Sequence, residues 1–81
     1  MTNLYEKISD DAYEGILRSL KIRSENTDFS LEHVKGELES LYKYEGLDGE
    51  GRGDVLQARL EGSILAFEVF ISSFEKNNSA S

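Results

Sequence analysis

Apolar residues recur at helical spacing in three stretches of the chain, separated by two clusters of loop formers. In the first, Leu4, Ile8, Ala12, Ile16 and Leu20 fall at every fourth position with Tyr5, Tyr13 and Leu17 beside them, which predicts an amphipathic helix over about residues 3–23. Steps of four drift by roughly 40° each at 100° per residue, so this stripe slants around the helix and suits a crossing or bent helix better than a straight coiled-coil seam. Ser9, Asp10 and Asp11 are cap formers that could start a separate helix near Asp10, but one continuous helix is the preferred reading.

Asn26, Thr27 and Asp28 then mark a turn, and Ser30 is the expected N-cap of a second helix over residues 31–45. Glu32 lies in its first turn, where the helix dipole favours an anion. Phe29 and Val34 have the spacing of a hydrophobic staple, and Leu31, Val34, Leu38 and Leu41 form a narrow seam. Gly46 ends the pattern, with Leu47 where a Schellman cap places its apolar contact. Residues 46–53 read Gly-Leu-Asp-Gly-Glu-Gly-Arg-Gly, either a hinge or a turn that needs positive φ angles.

Asp54 as N-cap, with Gln57 three residues on, approximates a capping box for a third helix over residues 55–76, about 33 Å long. It carries two apolar stripes. Val55, Ala58, Gly62, Leu65 and Val69 form one; Leu56, Leu60, Phe67, Phe70, Ile71 and Phe74 form the other. A helix apolar on two flanks is the central one. Ala58, Gly62 and Ala66, spaced by four, leave a lane where another helix can approach closely, either within the chain or across a dimer. Residues 77–81 are expected to form a disordered tail. The pattern as a whole predicts an all-α fold: a small three-helix bundle of antiparallel helical hairpins, one domain over residues 1–76, with a long central C-terminal helix.

Composition narrows the chemistry. With 81 residues the core is thin. The absence of cysteine removes disulfides, thiolate metal sites and cysteine nucleophiles. A formal charge of -7 argues against direct contact with nucleic-acid phosphates or anionic membranes. No run of 18 apolar residues is present, and the first residues carry no basic stretch followed by an apolar one. A cytoplasmic location is the resulting expectation.

The candidate sites are weak. An EF-hand reading with Asp48 first and Glu50 third puts Arg52 and Arg59 where oxygen ligands are required. The glycines are not followed by Lys-Ser/Thr, so no phosphate loop is implied. Arg52-Gly53-Asp54 is a short adhesion-like tripeptide whose Asp54 is already explained as a cap, and Asn77-Asn78-Ser79 is a chance sequon in a polar tail. His33 and Glu37 share a helix face but make only half a metal site. The carboxylates are adjacent rather than convergent, so no catalytic pair stands out.

The sequence therefore points to a non-enzymatic, acidic helical protein that acts by protein–protein contact, with no cofactor, metal or small-molecule substrate. Self-association as a homodimer through the third helix is expected, burying Val69, Phe70 and Phe74, with Ala58, Gly62 and Ala66 permitting close approach. The alternative is an acidic decoy that occupies the basic surface of a nucleic-acid-binding protein through Asp10, Asp11, Glu14, Glu32, Glu37 and Glu39. A ligand pocket formed only at a dimer interface, around His33, is a third possibility.

Overall fold

The protein is seen in a computed structural model that describes residues 4–46 and 53–79, the side chains of Asp54, Asn78 and Ser79 excepted. It is all-α, with α1 Leu4–Ser24, α2 Leu31–Gly46 and α3 Asp54–Ser79. At 1.5 Å per residue, the 26 residues of α3 extend about 39 Å, close to the 44 Å long axis of the molecule. The other two helices are laid on it. α1 is a single unbroken helix through Ser9-Asp10-Asp11.

Local chemistry explains the ends. The Ser30 hydroxyl accepts a hydrogen bond from the His33 backbone N–H at 3.3 Å, and the Ser30 carbonyl accepts one from Val34 N–H at 3.3 Å. Ser30 is thus the N-cap its sequence position implies. Before it, Asn26 Oδ1 accepts from Asp28 N–H at 2.9 Å and the Asn26 carbonyl from Phe29 N–H at 3.1 Å, an Asx-type turn that reverses the chain. At the start of α3 the expectation needs correction. The Gly53 carbonyl accepts from Gln57 N–H at 3.0 Å, so Gly53 holds the capping position and Asp54 is the first helical residue. The C-terminal boundary also differs. α3 includes Asn77, Asn78 and Ser79, which were expected in a disordered tail. Asn and Ser lower helix propensity by only a few tenths of a kcal/mol each, too little to stop a long helix that is already nucleated. Leu47 and the glycine-rich residues up to 52 lie outside the described residues.

The side-chain contacts fix the directions. Tyr5 bonds Glu61 and Ser9 lies against Gly62, so α1 and α3 run parallel. Tyr42 bonds Glu68 and Lys35 pairs with Glu75, so α2 runs antiparallel to both. The arrangement is up, down, up, the expected pair of antiparallel hairpins. α1 packs along α3 more extensively than α2 does, and the two outer helices approach each other mainly near the turn that joins them. There the Arg23 guanidinium grips the Glu37 carboxylate through two parallel bonds of 2.9 and 3.1 Å.

The core is where all three helices converge. Leu20 (1% exposed) and Val34 are the largest fully enclosed side chains; Leu38 from α2 and Leu60, Ile64, Phe67, Phe70 and Ile71 from α3 complete the cluster. Enclosing a Leu or Val side chain is worth about 1.5–3 kcal/mol, so these few residues carry a large part of the stability of so small a chain. Phe29, Phe70 and Phe74 close one end as an aromatic trio with ring centroids 5.2–6.0 Å apart. No buried side-chain polar atom lacks a partner among the described residues.

Candidate interaction surface

The lane of small residues is occupied from within the chain. Ala58 and Ala66 are fully buried, and Gly62 meets the backbone of α1 directly. A Cβ at Gly62 would overlap the Ser9 carbonyl oxygen and lie 3.0 Å from the Ser9 carbonyl carbon and 3.1 Å from the Ala12 Cβ. The hydrogen that stands in place of that Cβ points at the Ser9 carbonyl, the direction of a weak Cα–H···O contact. Close approach at a small residue, known best from membrane helices, here fastens the first helix to the third.

This crossing decides the fate of the other expected interface residues. Phe70 is buried in the core and Phe74 is half-buried in the aromatic trio. Val69 alone among the six remains exposed, at 37%. The physical reason lies in the slanted stripe of α1. Having crossed α3 at Gly62, α1 continues toward Phe70 and the core and leaves the rest of the first apolar stripe uncovered. Leu65, 49% exposed, is stranded with Val69 in the middle of α3.

Around these two residues α3 presents Glu61, Glu68, Ser72 and Lys76, all exposed. On an ideal helix Glu61, Leu65, Ser72 and Lys76 fall within about 60° of arc, with Glu68 and Val69 on either edge. The flanking helices brace this face from both sides. Tyr5 of α1 donates its hydroxyl to the Glu61 carboxylate, and Tyr42 of α2 donates to Glu68. The bond to Glu68 holds the Tyr42 phenol above its usual pKa, with partial burial and the Glu68 and Glu45 charges adding to the effect. A depression of about 380 Å³ follows the strip past Glu68, Val69, Ser72, Ser73 and Lys76. The sequence stripe already contained Leu65; which half of that stripe stays uncovered depends on the crossing, and periodicity carries no information about it. Tyr42, Glu61 and Lys76 gave no signal at all, since each looks like an ordinary surface residue.

Other features are less developed. Leu4, Tyr5, Ile8 and Val55 line a hollow of about 120 Å³ where α1 and α3 begin, with room for about one side chain. Ile8, Ala12, Gly15 and Ile16 of α1, with Arg59 and Ser63 of α3, line an open depression of about 450 Å³ edged by Asp11. His33 Nε2 lies 3.2 Å from the Glu37 Oε2, but Glu37 is already held by Arg23. Among the described residues no group of three His, Cys, Asp or Glu side chains could hold a metal ion, and no helix is long and apolar enough to cross a membrane.

The Arg23–Glu37 fork has a pH signature. Hydrogen bonds from Arg23 hold the Glu37 carboxyl below the usual carboxylate range, with the Arg23 and His33 charges assisting and partial burial opposing. Glu37 therefore binds its proton less tightly folded than unfolded. Its contribution is complete above the unfolded value of about 4.3 and is lost as pH falls through the lower folded value. Urea unfolding across a pH series should show native protein more stable than Glu37→Gln by less than about 1 kcal/mol near neutrality, since both side chains are over one-third exposed. That gap should narrow as pH falls below the usual carboxylate range and through the lowered folded value. A gap that is constant with pH would mean the fork contributes nothing.

Comparison with protein-family models, with curated proteins and with solved structures gives no match. The functional reading therefore rests on the residues of this chain.

Proposed function

We propose that this is a non-enzymatic protein that acts by protein–protein contact and associates with a second copy of itself through the outer face of α3. The supporting observation is the exposure of Leu65 and Val69, two adjacent apolar side chains in the middle of the longest helix, on a face whose rim is braced by tyrosines from both flanking helices. A two-fold contact is the commonest way for a small protein to cover such a face. Of the interface expected from the sequence, Val69 is kept and Leu65 joins it, while the small-residue lane and the phenylalanines serve the fold.

Magnitude limits the strength of the contact. A standard interface takes about 800 Å² from each partner, far more than one Leu and one Val supply. The aliphatic stems of Glu61, Glu68 and Lys76 and the ring of Tyr42 must contribute, and the expected affinity is micromolar rather than nanomolar. Sedimentation equilibrium of the full chain at tens of micromolar should show a monomer–dimer mixture. Leu65→Gln combined with Val69→Gln should shift it to monomer while changing the stability of the monomer by no more than about 0.5 kcal/mol at each site. A native chain that stays monomeric at these concentrations would refute self-association.

A further inference from the structure

We infer that the depression between α1 and α3 binds a medium-chain aliphatic monocarboxylate, with its head on Arg59 and its chain laid along α1 past Gly15. This site is separate from the face of Leu65 and Val69. On an ideal helix Arg59 and Ser63 lie about 120–160° around α3 from Leu65. At about 450 Å³ the depression falls in the size range of small-molecule sites. Its floor is apolar, formed by Ile8, Ala12 and Ile16. From Ile8 to Ile16 α1 rises about 12 Å, the length of an extended chain of about ten carbons but only about two turns of a partner helix. A contact between macromolecules takes about 800 Å² from each side, so these dimensions favour a small ligand.

Two residues of the depression serve no purpose in the fold. Gly15 stands in the middle of α1, where glycine weakens a helix, yet nothing lies within 4 Å of an added Cβ. At Gly62 the missing side chain lets Ser9 approach; at Gly15 it opens space in the wall of the trough. Arg59 is exposed and makes no hydrogen bond or ion pair among the described residues, whereas Lys7, Arg23 and Lys35 each pair with a carboxylate. In a chain of charge -7, an unmatched guanidinium beside an apolar trough is complementary to an amphiphile with one anionic head. A carboxylate takes two parallel N–H bonds from such a group, and the Ser63 hydroxyl, one turn along the same face of α3, is a further donor. Asp11 edges the trough, 4.0 Å from the Lys7 Nζ, and its charge disfavours a second carboxylate on the ligand.

The probe is decanoate, titrated into the isotope-labelled full chain and followed by amide chemical shifts. Shifts should saturate with a Kd of some hundreds of micromolar and centre on residues 8–16, Arg59 and Ser63. Decyltrimethylammonium has the same chain and the opposite charge. It should bind at least about fivefold more weakly, although the protein as a whole is acidic. Arg59→Gln should weaken decanoate by a similar factor. Gly15→Leu, which fills the trough, should do the same while melting no lower than the native chain, because the added Cβ meets open space. Leu65→Gln combined with Val69→Gln should leave the decanoate Kd within about twofold of native, so this site is tested independently of self-association. Shifts that do not saturate, or that centre on Leu65 and Val69, would overturn the assignment. So would equal or tighter binding of the cationic probe, or an unchanged decanoate Kd in both Arg59→Gln and Gly15→Leu.

Discussion

Gly62→Ala should destabilise the protein by about 1–2 kcal/mol, and Gly62→Val by more than about 3 kcal/mol, although both replace a poor helix former in the middle of a helix. Propensity alone favours alanine there by about 1 kcal/mol. The opposing effect is steric. The new Cβ would overlap the Ser9 carbonyl oxygen, a backbone atom fixed in the α1 hydrogen-bond ladder, so relief requires the whole of α1 to retreat. That retreat also loosens the packing of Ala12 and Ile16. The same substitution has the opposite sign at Gly15 and Gly36, which are mid-helix and have nothing within 4 Å of an added Cβ. Gly15→Ala and Gly36→Ala should each stabilise by about 0.5–1 kcal/mol. In a domain of this size 1 kcal/mol moves the melting temperature by about 4–8 °C, so thermal melts of the three variants should diverge in opposite directions. If Gly62→Ala were neutral or stabilising, α1 would not cross α3 as closely as described.

Phe70→Ala should cost about 3–5 kcal/mol, enough to unfold most of the chain at room temperature. Phe70 touches both halves of the stabilising machinery. It belongs to the buried cluster shared by the three helices, and it stacks edge-on to Phe29 at 6.0 Å and tilted to Phe74 at 5.7 Å. Truncation removes the ring, leaves a cavity lined by Leu20 and its neighbours, and frees the turn that Phe29 anchors. Circular dichroism at several protein concentrations separates this from an interface role. A core residue gives loss of helix that is independent of concentration. An interface residue would leave a folded monomer, and that outcome would move Phe70 back to the surface where its sequence pattern allowed it to be.

The contrast between Phe70 and Leu65 shows what could be read from the sequence. Helix existence, the turn at Asn26–Asp28 and the cap at Ser30 were legible because each depends on neighbours within a few residues. The centrality of α3 was legible because only a helix flanked by two others needs two apolar stripes. The slant of the α1 stripe pointed to a crossing or bent helix, and the close contact of Ser9 with Gly62 is where α1 meets α3 most tightly. The position of the crossing was not legible. Ala58, Gly62, Leu65 and Val69 are equivalent members of one stripe by period, and only three-dimensional packing separates the pair that meets α1 from the pair that it leaves exposed. The rim was hidden for a similar reason. Tyr5 and Glu61 are 56 positions apart, and Tyr42 and Glu68 are 26 apart, so no local signal links them.

The parallel pairing of the first and last helices also bears on how the chain reaches this state. Most small helical bundles draw their packing from neighbours in sequence and collapse quickly. Here the broader of the two helix contacts joins helices far apart in sequence, which raises the contact order above that of a bundle whose packing is all between sequence neighbours. The entropy of closing a long loop must be overcome before Ser9 finds Gly62. The α2–α3 hairpin, whose helices are adjacent in sequence, is expected to form first and α1 to dock onto Gly62 late, in which case Gly62→Ala speeds unfolding more than it slows folding.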